Sequence, residues 1–258
     1  MKEDFATWAI SEGSQFSIGL QGDLVEEDYS LEELQKLAHA RLRPSITNPN
    51  YLVLHRRAQL IAAWIGQVPG KGLRVLDIGG RYQPYRPLLQ DRVTQYVAID
   101  VVGSRLVNVV GKGELLPFRA NTFDLVIATG VFEYFPRPHL AAEQVYDVLK
   151  PGGALLMSVG AVSPRFVEDE HWRYMRSGLR SILAPFSQVE IVPEVFSLGG
   201  FCRLLNTGLN IFARYEIMRR LLQLTVFPLV NVAGLGLERL SLSTNDQMAG
   251  NYCALARK

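Results

Sequence analysis

A doubly wound α/β fold with a mostly parallel, seven-stranded sheet is what this sequence predicts, and three observations predict it. Short, nearly unbroken apolar runs recur between residues 73 and 159, as strands buried on both faces require. A helix-like segment fills the gap before the last of these runs, as a crossover between parallel strands does. Two further short runs near the C-terminus bracket a long helical stretch, which supplies the last strands of the same sheet.

In chain order, the first seventy residues have a helical pattern and form an N-terminal lid, residues 1–70. Ser30-Leu31-Glu32-Glu33 is a capping box, with Ser30 accepting from the Glu33 amide and the Glu33 side chain reaching back. Leu31, Leu34, Leu37, Ala38 and Leu42 follow at helical spacing, and Pro44 stops the helix. A second helix is predicted from Asn50 to Ile65, with Leu54, Ala58, Ile61 and Ile65 on one face. Pro69-Gly70 breaks the chain. The core, residues 71–194, begins with a predicted strand over residues 73–78. Others follow at 96–100, 106–110, 123–128 and 154–159, with a helix over 139–149 and a Lys150-Pro151-Gly152-Gly153 turn between the last two. A helix over 172–183 and a strand over 188–192 complete it. Residues 195–245 form a helical insertion, too long for a plain loop, and 246–258 return as the last strand.

Composition narrows the function. Of the 258 residues 48% are hydrophobic and 20% charged, enough apolar material for a sizeable core and unlike a disordered chain. Twenty-seven basic and twenty-five acidic residues give a formal charge of +2, no field for nucleic acid. Cys202 and Cys253 stand far apart without a CxxC or a nearby histidine pair, so they read as reduced thiols in a cytoplasmic protein, with no metal site. No signal peptide pattern opens the chain. The apolar stretch 221–237 is shorter than the roughly 20 residues a span needs and holds Gln223, Pro228 and Asn231.

The chemistry gathers at strand ends. Leu76-Asp77-Ile78-Gly79-Gly80 closes the first strand, where glycine lets backbone amides approach a ligand at the sheet's carboxyl edge. Asp100 closes the second strand, where a carboxylate can accept both hydroxyls of a ribose. The nicotinamide fingerprint G-x-G-x-x-G is absent, since Gly80, Arg81, Tyr82, Gln83 and Pro84 follow Gly79, which disfavours a dehydrogenase.

Residues 113–157 read GELLPFRANTFDLVIATGVFEYFPRPHLAAEQVYDVLKPGGALLM. With Asp77-Ile78-Gly79 and Asp100 in front, this stretch resembles the class I S-adenosylmethionine-dependent methyltransferases. They are the Rossmann-like branch in which Leu116-Pro117-Phe118, Phe123-Asp124-Leu125-Val126 and Leu149-Lys150-Pro151-Gly152-Gly153 have counterparts. The resemblance implies S-adenosyl-L-methionine as cofactor, with Asp77, Gly79 and Gly80 beside its methionine part and Asp100 on its ribose. It implies Gly113 and Glu114 beside the adenine and Thr129 facing the sulfonium end. Arg81 and Gln83 replace two glycines of the family loop, and Arg81 is suited to the methionine carboxylate. The segment from Glu170 to Arg180 resembles, at pattern level, methyltransferases of bacterial glycan biosynthesis, which implies a saccharide or glycolipid acceptor. A non-catalytic binding or scaffolding protein on the same fold is the alternative.

For a hydroxyl acceptor, His171 is the expected general base, oriented by Tyr134 or Glu133. His39, His55 and His139 read as surface residues. The segment 201–240 sets Arg203, Arg214, Arg219 and Arg220 in an apolar background. It reads either as a peripheral membrane contact or as a cap against the sheet or a second copy. The partner expected at the site is a small-molecule acceptor, admitted between the lid and the insertion.

Overall fold

The structure is a computed structural model describing residues 29–213, 215–239 and 245–258. The helical reading of residues 1–28, and the placing of Arg214 and Leu240, lie outside the described residues. Helices α1 (Leu31–Leu42) and α2 (Tyr51–Gln67) lead into strands β1 (Leu73–Ile78), β2 (Val93–Asp100), β3 (Val109–Val110) and β4 (Phe123–Thr129). Then come α3 (Pro138–Val148), β5 (Leu149–Gly160), α4 (Arg176–Ile182) and β6 (Gln188–Pro193). Helices α5 (Ser197–Phe212), α6 (Glu216–Leu224) and α7 (Val226–Arg239) precede β7 (Asn251–Arg257). The seven strands form one sheet in the order β3-β2-β1-β4-β5-β7-β6. Strands β1 to β5 pair in parallel and β7 is antiparallel to both neighbours. This is the doubly wound, Rossmann-like architecture the sequence predicts.

The predicted capping box forms: the Glu33 amide donates to Ser30 Oγ at 3.2 Å, and the Ser30 amide to Glu33 Oε2 at 2.8 Å. Covering of the two sheet faces is uneven. On one face α3 and α4 place Ala141, Val145 and Leu179 against Leu76, Val126 and Met157. The opposite face lacks a helix after β1; a 3₁₀ segment, Arg86–Arg92, stands there instead. Helix α2 fills the vacancy, with Ile61, Trp64 and Ile65 packed on Val75, Ile127 and Leu156. Thus the second half of the predicted lid is a layer of the core.

Three elements differ from the sequence reading. Lys150-Pro151-Gly152-Gly153 is not a turn outside the strand but a bulge within β5. The pairing Phe123↔Leu149 jumps to Leu125↔Ala154, with Gly152 at φ +78° and Lys150 Nζ 2.8 Å from Asp124 Oδ1. Strand β3 shrinks to two residues, because the chain before it turns to let Asn108 Oδ1 accept from the Ala98 amide. Helix α4 starts at Arg176, four residues later than read; Trp172 Nε1 donates to Phe135 O and draws the preceding segment across the strand ends.

The insertion is built into the fold by polar contacts. Glu238 of α7 accepts from the Phe196 and Gly199 amides at the start of α5. Asn206 donates to Asn231, which in turn donates to the Ile46 and Asn48 carbonyls before α2. Its outer side is apolar and uncovered, with Phe212 79%, Ile217 76%, Leu224 73% and Leu229 72% exposed. Helices α6 and α7, joined at Thr225, together run 24 residues from Glu216 to Arg239 and contain an 18-residue window of mean hydropathy 1.5, by length and composition alone enough to cross a membrane and longer than the stretch read from sequence.

Beneath the parallel strands, Glu194 is fully buried at the end of β6. Arg57 of α2 grips it with Nε at 2.7 Å and Nη2 at 3.2 Å, while Ser158 Oγ and Cys253 Sγ donate to the same carboxylate. Removing one partner leaves the other buried and uncompensated. Glu194→Ala is expected to lower unfolding free energy by about 3–5 kcal/mol, measured by urea denaturation; a loss inside experimental error would show that the pair does not hold α2 in place.

Candidate active site

Strands β1 and β4 end side by side, Ile78 opposite Ala128, so Gly79 and Thr129 emerge as neighbours. Gly79 adopts φ +75°, and a Cβ there would stand 3.1 Å from the Val131 side chain. A Cβ on Gly80 would lie 2.9 Å from the Asp77 carboxyl carbon. Both glycines are therefore fixed by close approach. Asp77 is buried and accepts from Tyr96 Oη at 2.6 Å. Burial pushes its carboxyl up to about 7; the Tyr96 bond opposes that, and the Asp100 charge adds to it. Asp100, half-buried at the end of β2, accepts from the Val102 amide at 3.0 Å. Burial raises its pKa too, while the Val102 amide and the charge of Arg81 pull it down.

The loop after Gly79 solves the loss of glycine by side-chain bonding. Gln83 sits at φ +50°, the left-handed region that favours glycine, and is buried. Its Nε2 donates to Leu106 O at 2.6 Å and its Oε1 accepts from Arg86 at 2.9 Å. Gly113 and Glu114 are both held by packing and hydrogen bonding within the fold. A Cβ at 113 would come 2.5 Å from the Phe135 ring, and Glu114 accepts from the Arg137 amide at the N-terminus of α3.

Beside this edge opens a cleft of about 410 Å³ whose floor includes Thr129, Gly130 and Glu133, with Leu37 and Arg41 of α1 on one side and Arg203 of α5 on another. The predicted entry between N-terminal helices and insertion thus has a physical counterpart. Glu133 is 6% exposed. Its Oε1 accepts from the Gly160 amide at 2.5 Å, whereas Oε2 is buried without a hydrogen-bond partner. Burial raises its pKa, against the pull of the Gly160 amide and of Arg57 and Arg173. Tyr134 also lines the cleft, and burial raises its pKa, with Glu170 and Glu133 adding to the effect. His171 does not join them. It is exposed and outside the cleft lining; only its backbone amide reaches the site, donating to Glu133 O at 2.8 Å.

Arg57 and Arg173 escaped the sequence reading as cleft residues, whereas Arg203 stood there as one of the arginines of the apolar insertion. Arg57 lies three residues after Leu54 and four before Ile61, inside the apolar stripe of α2, and a charge so placed is the signal that could have found it. Arg203 shares the buried face of α5 with Gly199, Asn206 and Thr207, a polar face on an otherwise apolar helix. Arg173 bonds Glu170 at 2.5 Å and the carbonyls of Pro164 and Trp172.

Residues 53–192, over half of the chain, match the family described as "Methyltransferase domain". Over 108 residues the chain is 32% identical to 2-methyl-6-phytyl-1,4-hydroquinone methyltransferase 2, chloroplastic, of Oryza sativa subsp. japonica, covering 36% of this chain and 31% of that protein. It is 26% identical to the human mitochondrial arginine-hydroxylase NDUFAF5 over 218 residues, 76% of this chain and 61% of that one. The chain thus spans about a third of the rice enzyme. Among solved structures, the complex between the Haloferax volcanii Trm112 methyltransferase activator and a methyltransferase has the same fold. Its TM-score is 0.51 at 14% identity, with 87% of this chain and 97% of that one covered.

The raised Asp77 carboxyl sets a pH dependence. Its stabilising share is full below the ordinary value of 3.8 and is lost as pH rises through about 7, where the buried group must ionise. Asp77→Asn keeps the shape without the charge. Its unfolding free energy relative to wild type is expected to rise by about 4 kcal/mol between pH 4 and 8, read from denaturation curves at each pH. A difference that stays flat would contradict the burial of a titrating acid there.

Proposed function

The chain belongs to the methyltransferase-domain family, and we propose that it transfers a methyl group from S-adenosylmethionine to a hydroxyl oxygen of a small amphiphilic acceptor, of the saccharide or glycolipid class. The observation behind this reading is Glu133: a buried carboxylate with one oxygen fixed, the other unpartnered, at the floor of the cleft beside Thr129. S-adenosylmethionine supplies the activated methyl group and leaves as S-adenosylhomocysteine. The strand ends suit it: the positive φ and close approach at Gly79, with the Asp77 and Asp100 carboxyls beside it, form a cradle for an amino-acid tail and a ribose. Asp100 would hold the ribose hydroxyls, and Asp77 with Gly79 the methionine part.

Ionised Glu133 Oε2 accepts the acceptor's hydroxyl proton while the Gly160 amide holds Oε1 still. Tyr134, kept protonated, donates a hydrogen bond from the rim. Positioning supplies the rest of the rate. Support for an amphiphile comes from the walls, where Leu37, Val53 and Phe166 face the same space as Arg41 and Arg203. The exposed apolar face of α5 to α7 is suited to a lipid surface, with Arg219 and Arg220 set among its apolar residues. A peripheral membrane contact accordingly belongs to this reading.

Calorimetric titration with S-adenosylhomocysteine tests the cofactor; absence of binding would favour the non-catalytic alternative. Glu133→Gln is expected to slow turnover by about 10²–10⁴-fold with cofactor affinity unchanged. Because the base works ionised and its pKa is raised, wild-type kcat/KM falls on acidification at a pH above the ordinary carboxylate range. The variant loses that limb, and an unaltered pH profile would remove Glu133 from the chemistry.

Co-sedimentation with anionic liposomes tests the lipid contact. Wild type is expected in the pellet, and Ile217→Asp with Leu224→Asp in the supernatant with cofactor affinity intact. Equal partition of the two proteins would dismiss this surface.

A further inference from the structure

The two deeper cleft arginines besides Arg203 have counter-charges: Arg57 is paired with Glu194 and Arg173 with Glu170. Arg203 differs. It is 4% exposed, and among the described residues no carboxylate pairs with it. Its Nε donates to Asn50 Oδ1 at 3.0 Å and its Nη1 to Val162 O at 3.2 Å, both neutral acceptors. The guanidinium carbon stands 5.7 Å from the Phe166 ring centroid. Among the described residues Nη2 has no hydrogen-bond partner. Burial lowers the Arg203 pKa to about 10; the charge of Glu194, paired with Arg57, opposes this most and that of Glu170, paired with Arg173, less, while the charges of Arg57 and Arg173 pull the same way as burial.

A guanidinium taken out of water without a counter-charge is costly, and Leu or Met would fill such a helix position without that cost. Two neutral contacts hold the plane in a fixed orientation and leave one amino group over for whatever enters the cleft. Arg41 stands at the mouth, its guanidinium 4.4 Å from the Tyr82 ring centroid, as a second positive charge on the way in. Its presence makes the entrance attractive to anions as well.

We propose that the acceptor carries an oxyanion, a phosphate or a carboxylate, that docks on Nη2 of Arg203 while its hydroxyl is presented to Glu133. The proposal rests on the methyl-transfer reading for what the cleft is for, and names the substrate class. The anion supplies a counter-charge of Arg203's own, in a charge-assisted hydrogen bond made at a buried wall of the cleft. An uncharged saccharide would leave Arg203 as costly in the complex as in the free protein. Selection against uncharged analogues follows from the same geometry.

The test uses the full chain saturated with S-adenosylhomocysteine, at constant ionic strength with chloride as control. Inorganic phosphate, pyrophosphate and benzoate are titrated by calorimetry into wild type, Arg203→Gln and Arg203→Lys. Wild type is expected to bind one oxyanion per chain, with pyrophosphate over benzoate marking a phosphate acceptor and the reverse order a carboxylate. Arg203→Gln should weaken that binding about 10–100-fold, and Arg203→Lys should recover part of it. Arg203→Met, which removes the buried charge, should fold with a Tm no lower than that of Arg203→Gln. Equal anion binding by wild type and Arg203→Gln, or none by wild type, overturns the proposal. Failure of S-adenosylhomocysteine to bind wild type would overturn the methyl-transfer reading instead, so the two outcomes are separable.

Discussion

The ion pair between Arg57 and Glu194 is the constraint on which the remaining architecture depends. It joins α2 to the end of β6, and the same carboxylate takes donors from β5 and β7 through Ser158 and Cys253. Four elements far apart in sequence thereby meet at one buried group. In a doubly wound sheet, helices following the first strands normally cover the second face. Here β1, β2 and β3 are followed by turns and a 3₁₀ segment, so that face depends on a helix that precedes the sheet in the chain. Apolar packing of Ile61, Trp64 and Ile65 supplies the burial energy, but apolar contacts alone tolerate sliding along the helix axis. The bidentate pair fixes the register, and with it the place of Val53 and Leu54 in the cleft wall.

That arrangement explains which parts of the fold were legible in the sequence. All seven strands were: the central ones, β1, β4, β5 and β7, are buried on both faces and so apolar nearly throughout, while the edge strand β6 alternates, with Gln188 and Glu190 exposed and Ile191 buried. The capping box of α1 was legible because it is wholly local. What the sequence did not disclose depended on distant partners. The bulge at Lys150 to Gly153 reads as a turn until Asp124 on the neighbouring strand is seen to hold Lys150. The role of α2 as a core layer depends on the missing helix after β1, and the loop there keeps its shape through Gln83, a residue whose left-handed conformation no propensity favours.

The candidate site divides in the same way. Asp77, Gly79 and Asp100 were legible as strand-end residues, since ends of parallel strands are where such sheets bind ligands. Gly113 and Glu114 have, besides any part in binding, a place in the fold: the Phe135 ring leaves no room for a side chain at 113, and Glu114 Oε1 accepts from the Arg137 amide. His171 was singled out by its side-chain chemistry alone, yet a backbone bond to Glu133 turns it toward solvent. Glu133 has the better claim by position, because it lines the cleft with one buried oxygen unpartnered and the His171 side chain does not line it. Burial raises the pKa of that acid, and the Gly160 amide and the charges of Arg57 and Arg173 oppose the rise.

Helix α5 joins the two halves of the functional reading. Its inner face is polar, with Arg203 in the cleft and Asn206 bonded to α7; Phe201 and Phe212 on the same helix are left exposed and apolar. A helix that served only to close the fold would bury its aromatic residues and expose its arginine. This one does the reverse. Burial of polar groups is sustained only where something satisfies them, and exposure of large apolar groups only where something covers them. Both anomalies lie on one element bordering one cleft, so the proposed anionic acceptor and the proposed lipid contact would answer them together: the acceptor's head would meet Arg203, and the outer face of the insertion would meet the apolar surface from which that acceptor comes.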